Sequence, residues 1–172
     1  MTPPRNSTAI RDVASVLHPY TDARAHQKNG PLVITRGEGV RVFDDQGKSY
    51  IETVAGLWCA ALGFHNERLV EAATKQMRQL PFYHGFTGRT HEPQVDLAEM
   101  LLERAPVPMS KVFFANSGSE ANDSAIKMIW YYNNAVGRPQ KKKIISRLKG
   151  YHGVTIASAS LTGLPYNHKF FD

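Results

Sequence analysis

Apolar and polar positions follow one another along this chain in two different rhythms. Ile10, Val13, Ala14 and Leu17 recur at three- and four-residue steps, the spacing of one helical face, and His18-Pro19 ends that run. Three short extended pieces follow, "LVITRG" (32–37), "VRVFD" (40–44) and "SYIE" (49–52). Gly37-Glu38-Gly39 and Asp44-Asp45-Gln46-Gly47 separate them, and this punctuation predicts an antiparallel meander. Asn66 stands where it can cap a helix over 67–80, whose stripe is Leu69, Ala73, Met77 and Leu80 and whose stop is Pro81. A further helix is predicted over 93–104, with Leu97, Leu101 and Leu102 gathered ahead of Pro106 and Pro108.

Near residue 110 the rhythm changes. "KVFFAN" (111–116) is a short apolar run that passes directly into a helical pattern of Ala121, Ala125, Met128, Ile129 and Tyr132, with Gly137 placed to close it. "KIISRL" (143–148) is a second short run of the buried-strand type, and "YHGVTIASASLTG" (151–163) reads as loop and helix. Strand, helix, strand, helix predicts a parallel sheet with crossover helices. Only two such strands precede Asp172, fewer than a covered parallel sheet normally needs, so the chain is expected to be part of a longer protein.

Composition narrows the class. The 172 residues are 42% hydrophobic and 21% charged, the balance of a globular protein. No apolar run approaches the roughly 20 residues of a membrane span, and residues 1–6 carry no signal core, so neither a membrane nor secretion is expected. Cys59 is the single cysteine, which excludes an intrachain disulfide and fits a reducing, cytoplasmic setting. The net charge is +6, and Arg138, Lys141, Lys142, Lys143, Arg147 and Lys149 equal that excess in number. Their grouping reads as a solvated connection around a strand; no aromatic interleaving supports nucleic acid as a partner. The histidines show no His-x-x-x-His or Cys/His pairing, and no metal site is expected.

The candidate chemistry sits in "FFANSGSEAND" (113–123). A helix beginning on Ser117-Gly118-Ser119 directs unpaired N–H groups and the positive end of its dipole into the crevice after the strand, an arrangement suited to phosphate. Ser117-x-x-Glu120 is also a capping box, in which Glu120 reaches back to the N–H of the cap residue. Spacing alone leaves cap and phosphate site equally open. The Walker A lysine and the Gly-x-Gly-x-x-Gly spacing are both lacking, which disfavours a nucleotide.

"FFANSGSEANDSAIK" followed about thirty residues later by "KGYHG" closely resembles the class III pyridoxal-phosphate-dependent aminotransferases. "GEGVRVFDDQGKSYIE", "GLWCAALGF" and "FYHGFTGRTHEP" resemble the ω-amino acid:pyruvate branch of that family, and the pieces occur in the family's order from about Leu17 onward. The resemblance implies an α/β chain of the fold-type I class: a helical arm over 1–30, a small-domain meander with connecting helices over 31–109, and the start of the large parallel or mixed-sheet cofactor domain over 110–172. It implies pyridoxal 5'-phosphate as cofactor, with Gly118 and Ser119 at its phosphate and Tyr151 on the face of its ring. Leu57, Trp58, Phe86 and Val154 match positions that line the substrate pocket, while Asn122 and Asp123 read as helix surface or support, and His152 as a residue that shapes its turn.

The implied reaction moves an amino group from an amine or ω-amino acid donor to a keto acid such as pyruvate, through a lysine Schiff base and pyridoxamine phosphate, in a homodimer. The Schiff-base lysine of the family lies downstream of the Tyr-His-Gly motif. So do the aspartate for the pyridine nitrogen and the arginine for substrate carboxylates. No catalytic residue is therefore assigned within residues 1–172, and these residues alone are expected to give no turnover. Two further readings stay open at this point: a non-catalytic phosphate-binding or assembly module on the same fold, and an aminomutase or decarboxylase.

Overall fold

A computed structural model describes residues 7–170; residues 1–6, where the lack of a signal core was read, and 171–172 lie outside the described residues. The chain divides into two compact units, one ending at His84 and the other beginning at Gly85.

The first unit opens with α1 (Thr8–Ser15), capped by Ser7, whose Oγ accepts the Ile10 N–H at 3.3 Å. α2 (Ala23–Asn29) is capped by Asp22, whose Oδ1 accepts the N–H groups of Arg24 and Ala25 at 2.9 and 3.0 Å. Leu17 does not complete the apolar face of α1. A residue before proline is pushed out of the helical region, and here the chain leaves it earlier still, at the C-cap Val16, so that Leu17 is fully exposed.

The meander forms as the sequence predicts. β1 (Ile34–Glu38), β2 (Arg41–Asp44) and β3 (Ser49–Ile51) pair antiparallel in that order, with Gly37 opposite Val42 and Val42 opposite Tyr50. Val42 is the buried apolar centre, and the Arg36 guanidinium lies 3.4 Å from the centroid of the Phe43 ring, a cation–π contact. Gly37, expected in a turn, lies within β1 instead. A Cβ there would sit 2.6 Å from Phe64 Cγ, so the missing side chain makes room for that ring. Phe64 is held by Gly39, with which it exchanges N–H···O bonds of 2.8 and 3.1 Å.

Asp44 organises the second turn. Its Oδ1 accepts the N–H groups of Gln46 and Lys48 at 3.0 and 2.8 Å, and its Oδ2 accepts the Tyr50 hydroxyl at 2.8 Å. Burial pushes this carboxyl up, but the Tyr50 hydroxyl and the Lys48 and Gln46 N–H groups outweigh it and hold it below the usual carboxylate range.

After β3 comes α3 (Ala55–Trp58), a single turn in which Ala55, Gly56, Leu57 and Trp58 all have positive φ, between 49° and 66°. Three non-glycine residues in that region are costly, at roughly 1–2 kcal/mol each. α4 (Glu67–Gln79) begins where Asn66 Oδ1 accepts the Leu69 N–H at 3.4 Å. Its stripe residues Leu69 and Met77 remain exposed.

The second unit contains α5 (Glu92–Arg104), α6 (Gly118–Ala135), α7 (Ile156–Leu161) and a 3₁₀ turn at Pro165–Asn167. Ile126 on α6 is its buried apolar residue. The expected strands at 111–116 and 143–148 form no ladder, and the one pairing there, among the described residues, is a parallel bridge of Leu148 with Gly163. The physical reason is plain: a parallel strand is completed by neighbours, none of the described residues supplies them, and Phe113 and Ile145 stand exposed.

The basic segment is exposed but not loose. Lys142 Nζ donates to the Asn134 side-chain oxygen at 2.6 Å, and the Trp130 ring N–H donates back to the Lys142 carbonyl at 3.1 Å. Among the described residues no helix is long and apolar enough to cross a membrane.

Candidate functional site

The start of α6 is built as its sequence requires. Ser117 is the N-cap, in extended backbone, and its Oγ accepts the Glu120 N–H at 3.2 Å. Glu120 returns a bond of 2.9 Å to the N–H of Asn116 rather than to that of Ser117, so the box closes one residue earlier than expected. Gly118 and Ser119 then occupy the first turn, where a helix offers its own N–H groups no acceptor. A Cβ on Gly118 would meet nothing within 4 Å, which leaves the approach to this turn open.

Ser119 faces inward. It is buried, and its Oγ accepts the N–H of Val154 at 3.0 Å across 35 residues of sequence. With one of its two lone pairs engaged by that amide, the hydroxyl still has its proton to donate. The loop carrying Tyr151, His152, Gly153 and Val154 is thereby seated directly on the first turn of α6.

Asn122 and Asp123, read from the sequence as helix surface or support, bind that loop. They lie three and four residues after Ser119 and so on its face of the helix. Asn122 Nδ2 donates to the His152 carbonyl at 2.6 Å. Asp123 Oδ1 accepts the Thr155 hydroxyl at 2.8 Å and the Ser158 N–H, at the start of α7, at 3.0 Å. Ser158 and Thr162 are fully enclosed, and Thr162 Oγ1 accepts the His152 N–H at 2.9 Å. The joint between α6 and α7 is therefore a polar network, each buried hydroxyl of which has a partner. Sequence reading missed Thr155, Ser158 and Thr162. Their signal was present in the density of hydroxyl residues in "VTIASASLT", which no apolar periodicity explains.

His152 carries the one exception. Its Nε2 is buried with no hydrogen-bond partner among the described residues. Tyr151 beside it is half exposed, and Val154 is exposed. Phe86, also in this second unit, is exposed. Leu57 and Trp58 belong to the first unit, where the left-handed turn holds them out at 67% and 81% exposure.

The donor set suits a phosphate. Two first-turn N–H groups, a hydroxyl proton and the positive end of an 18-residue helix converge without a carboxylate interposed, since Glu120 is occupied with Asn116.

Comparison with known proteins places the chain in a family. The family model described as aminotransferase class-III matches residues 22–172. The chain is 56% identical over 158 residues to gamma aminobutyrate transaminase 1, mitochondrial, of Solanum lycopersicum, covering 91% of this chain and 31% of that protein. It is 59% identical over 143 residues to vanillin aminotransferase of Capsicum chinense, covering 83% of this chain and again 31% of the relative. Among solved structures, the omega transaminase from Pseudomonas jessenii in complex with PMP superposes with a TM-score of 0.95 at 63% identity, over 97% of this chain and 37% of that one. The chain thus spans about a third of the length of the proteins it matches. With residues 22–172 inside the family match, the chain belongs to the class III aminotransferases.

Proposed function

We propose that these residues are the phosphate-binding part of a pyridoxal-phosphate-dependent aminotransferase that moves an amino group from an amine or ω-amino acid to a keto acid such as pyruvate. The observation that carries the reading is the seat of the 151–154 loop on the first turn of α6, fixed by the Val154 N–H on Ser119 Oγ. Pyridoxal phosphate is the cofactor of the family, and when bound it supplies an electron sink for the substrate carbon that bears the amino group.

In this reading the N–H groups of Gly118 and Ser119 and the Ser119 hydroxyl hold the phosphate, and Tyr151 lies against the ring and limits its tilt. Leu57, Trp58, Phe86 and Val154 keep the substrate-facing roles that the family resemblance implies for each of them, as apolar side chains suited to an aryl or alkyl amine. The strained turn at Ala55–Trp58 supports a working role for Leu57 and Trp58, since such backbone persists where the surroundings demand it. Residues 1–109 then comprise the arm and small-domain segment, and 110–172 the opening of the large domain, with the apolar stretches 57–64 and 82–86 at a homodimer interface. A reducing compartment such as the cytoplasm suits the exposed Cys59.

None of Lys127, Lys149 and Lys169 is assigned the Schiff-base role. A protein that joins these residues to such a lysine is expected to form alanine from pyruvate and an ω-amino donor, whereas residues 1–172 alone form none. Alanine formation by residues 1–172 alone contradicts the reading, as does its absence from the complete protein with every ω-amino donor tried.

A further inference from the structure

Outside the phosphate cradle, one cluster of ligating side chains stands out. Asp12 on α1, His18 in the connection and His26 on α2 point their polar atoms at one another, with ligand atoms all within 4.8 Å. His18 Nε2 lies 3.0 and 2.9 Å from the two Asp12 oxygens, and His26 Nε2 lies 2.9 Å from Asp12 Oδ2. The two imidazole centroids are 4.6 Å apart. No histidine pairing at ligand spacing announces this in the sequence, because the chain reverses between the helices and brings the two rings together.

We propose that Asp12, His18 and His26 form a binding site for a divalent transition-metal ion that pins α1 to α2. Two imidazole nitrogens and one carboxylate are the ligand set preferred by zinc and its neighbours in the first row, rather than by calcium or magnesium. In a tetrahedral site with bonds of about 2.0–2.1 Å, adjacent ligand atoms stand about 3.3 Å apart. The observed nitrogen–oxygen separations of 2.9–3.0 Å need to open by only a few tenths of an ångström.

The surroundings suit an ion. The side chains of His26 and Asp12 are 13% and 17% exposed, sheltered from water, while His18 at 34% leaves a way in. A groove of about 300 Å³ lined by Val13, Leu17, Thr21 and Gln27 together with both histidines adjoins the cluster and has room for a fourth, non-protein ligand. The two caps set the geometry, since Ser7 fixes the start of α1 and Asp22 that of α2.

The test uses the full chain, free of any affinity tag and stripped with a chelator, titrated with cobalt(II) chloride near neutral pH. Visible d–d bands that saturate at one equivalent, and that zinc displaces, are expected. His26→Gln and Asp12→Asn should each weaken binding by more than ~10-fold, the least that losing even a supporting partner of a metal ligand costs. His65→Gln, which alters an exposed histidine paired with Glu67, should leave it unchanged. A second measurement needs no variant: in the unaltered chain, cobalt should shift the ring protons of His18 and His26 before those of the other five histidines. Absence of a saturable band, equal affinity in His26→Gln, or first shifts at other histidines would overturn the proposal.

Discussion

Gly153→Ala should weaken pyridoxamine phosphate binding by more than ~10-fold. Gly153 has φ +133°, backbone that side chains rarely adopt, and a Cβ there would fall on Ser119 Oγ and within 2.5 Å of Ser158 Oγ. Backbone strain of this kind costs about 1–3 kcal/mol, and overpacking a filled site adds about 1–3 kcal/mol. The loop escapes only by lifting off α6, which breaks the Val154 N–H bond to Ser119 Oγ and frees the hydroxyl proposed to hold the phosphate. A penalty of even ~2 kcal/mol exceeds a factor of ten in affinity. Titration of wild type and variant, monitored by the cofactor's absorbance, reads the effect, and near-UV circular dichroism checks that the rest of the chain keeps its packing. Equal affinities would show that the loop does not depend on its seat.

The second large effect is on stability. Gly163 forms a parallel bridge with Leu148, its carbonyl accepts the Lys149 N–H at 2.8 Å, and its own N–H donates to the Gly150 carbonyl at 2.8 Å. A Cβ at Gly163 would lie 2.8 Å from Leu148 Cα and 2.9 Å from Lys149 N, and closer still to the Arg147 carbonyl. These neighbours are backbone and cannot rotate aside, so relief requires parting the two segments. Gly163→Ala should therefore cost about 3 kcal/mol, the upper end of ordinary overpacking. For a chain of this size that lowers the melting temperature by about 6–12 °C. A calorimetric midpoint within a degree or two of wild type would contradict the close approach.

Much of this architecture was legible in the sequence because it rests on local chemistry. Ser117, Asn66 and the turn at Asp44 each act on backbone groups within four residues, and such signals survive in a linear reading. Asn122 and Asp123 were harder, since their partners His152, Thr155 and Ser158 lie 30 to 35 residues away. The strands at 111–116 and 143–148 were read from apolar runs, yet a ladder depends on neighbours as much as on composition. Gly37 looked like turn punctuation, and only the ring of Phe64 above it gives the reason for a glycine. The left-handed turn at Ala55–Trp58 runs against the preferences of three of its four residues, so no propensity argument reaches it. The resemblance to a known family singles out Leu57 and Trp58 as substrate-pocket positions but says nothing of this turn.

Ser119 and the first turn of α6 are proposed to hold a phosphate. Pyridoxamine phosphate tests it cleanly, because it cannot form a Schiff base with any lysine and so reports the phosphate and ring contacts alone. Its phosphorus resonance, followed during titration, should shift saturably with wild-type protein. In Ser119→Ala the lost hydroxyl bond to a charged group is worth about 1.5–3 kcal/mol, so the dissociation constant should rise at least ~10-fold. A phosphorus signal that does not move with wild type, or an unchanged dissociation constant in Ser119→Ala, would contradict the assignment.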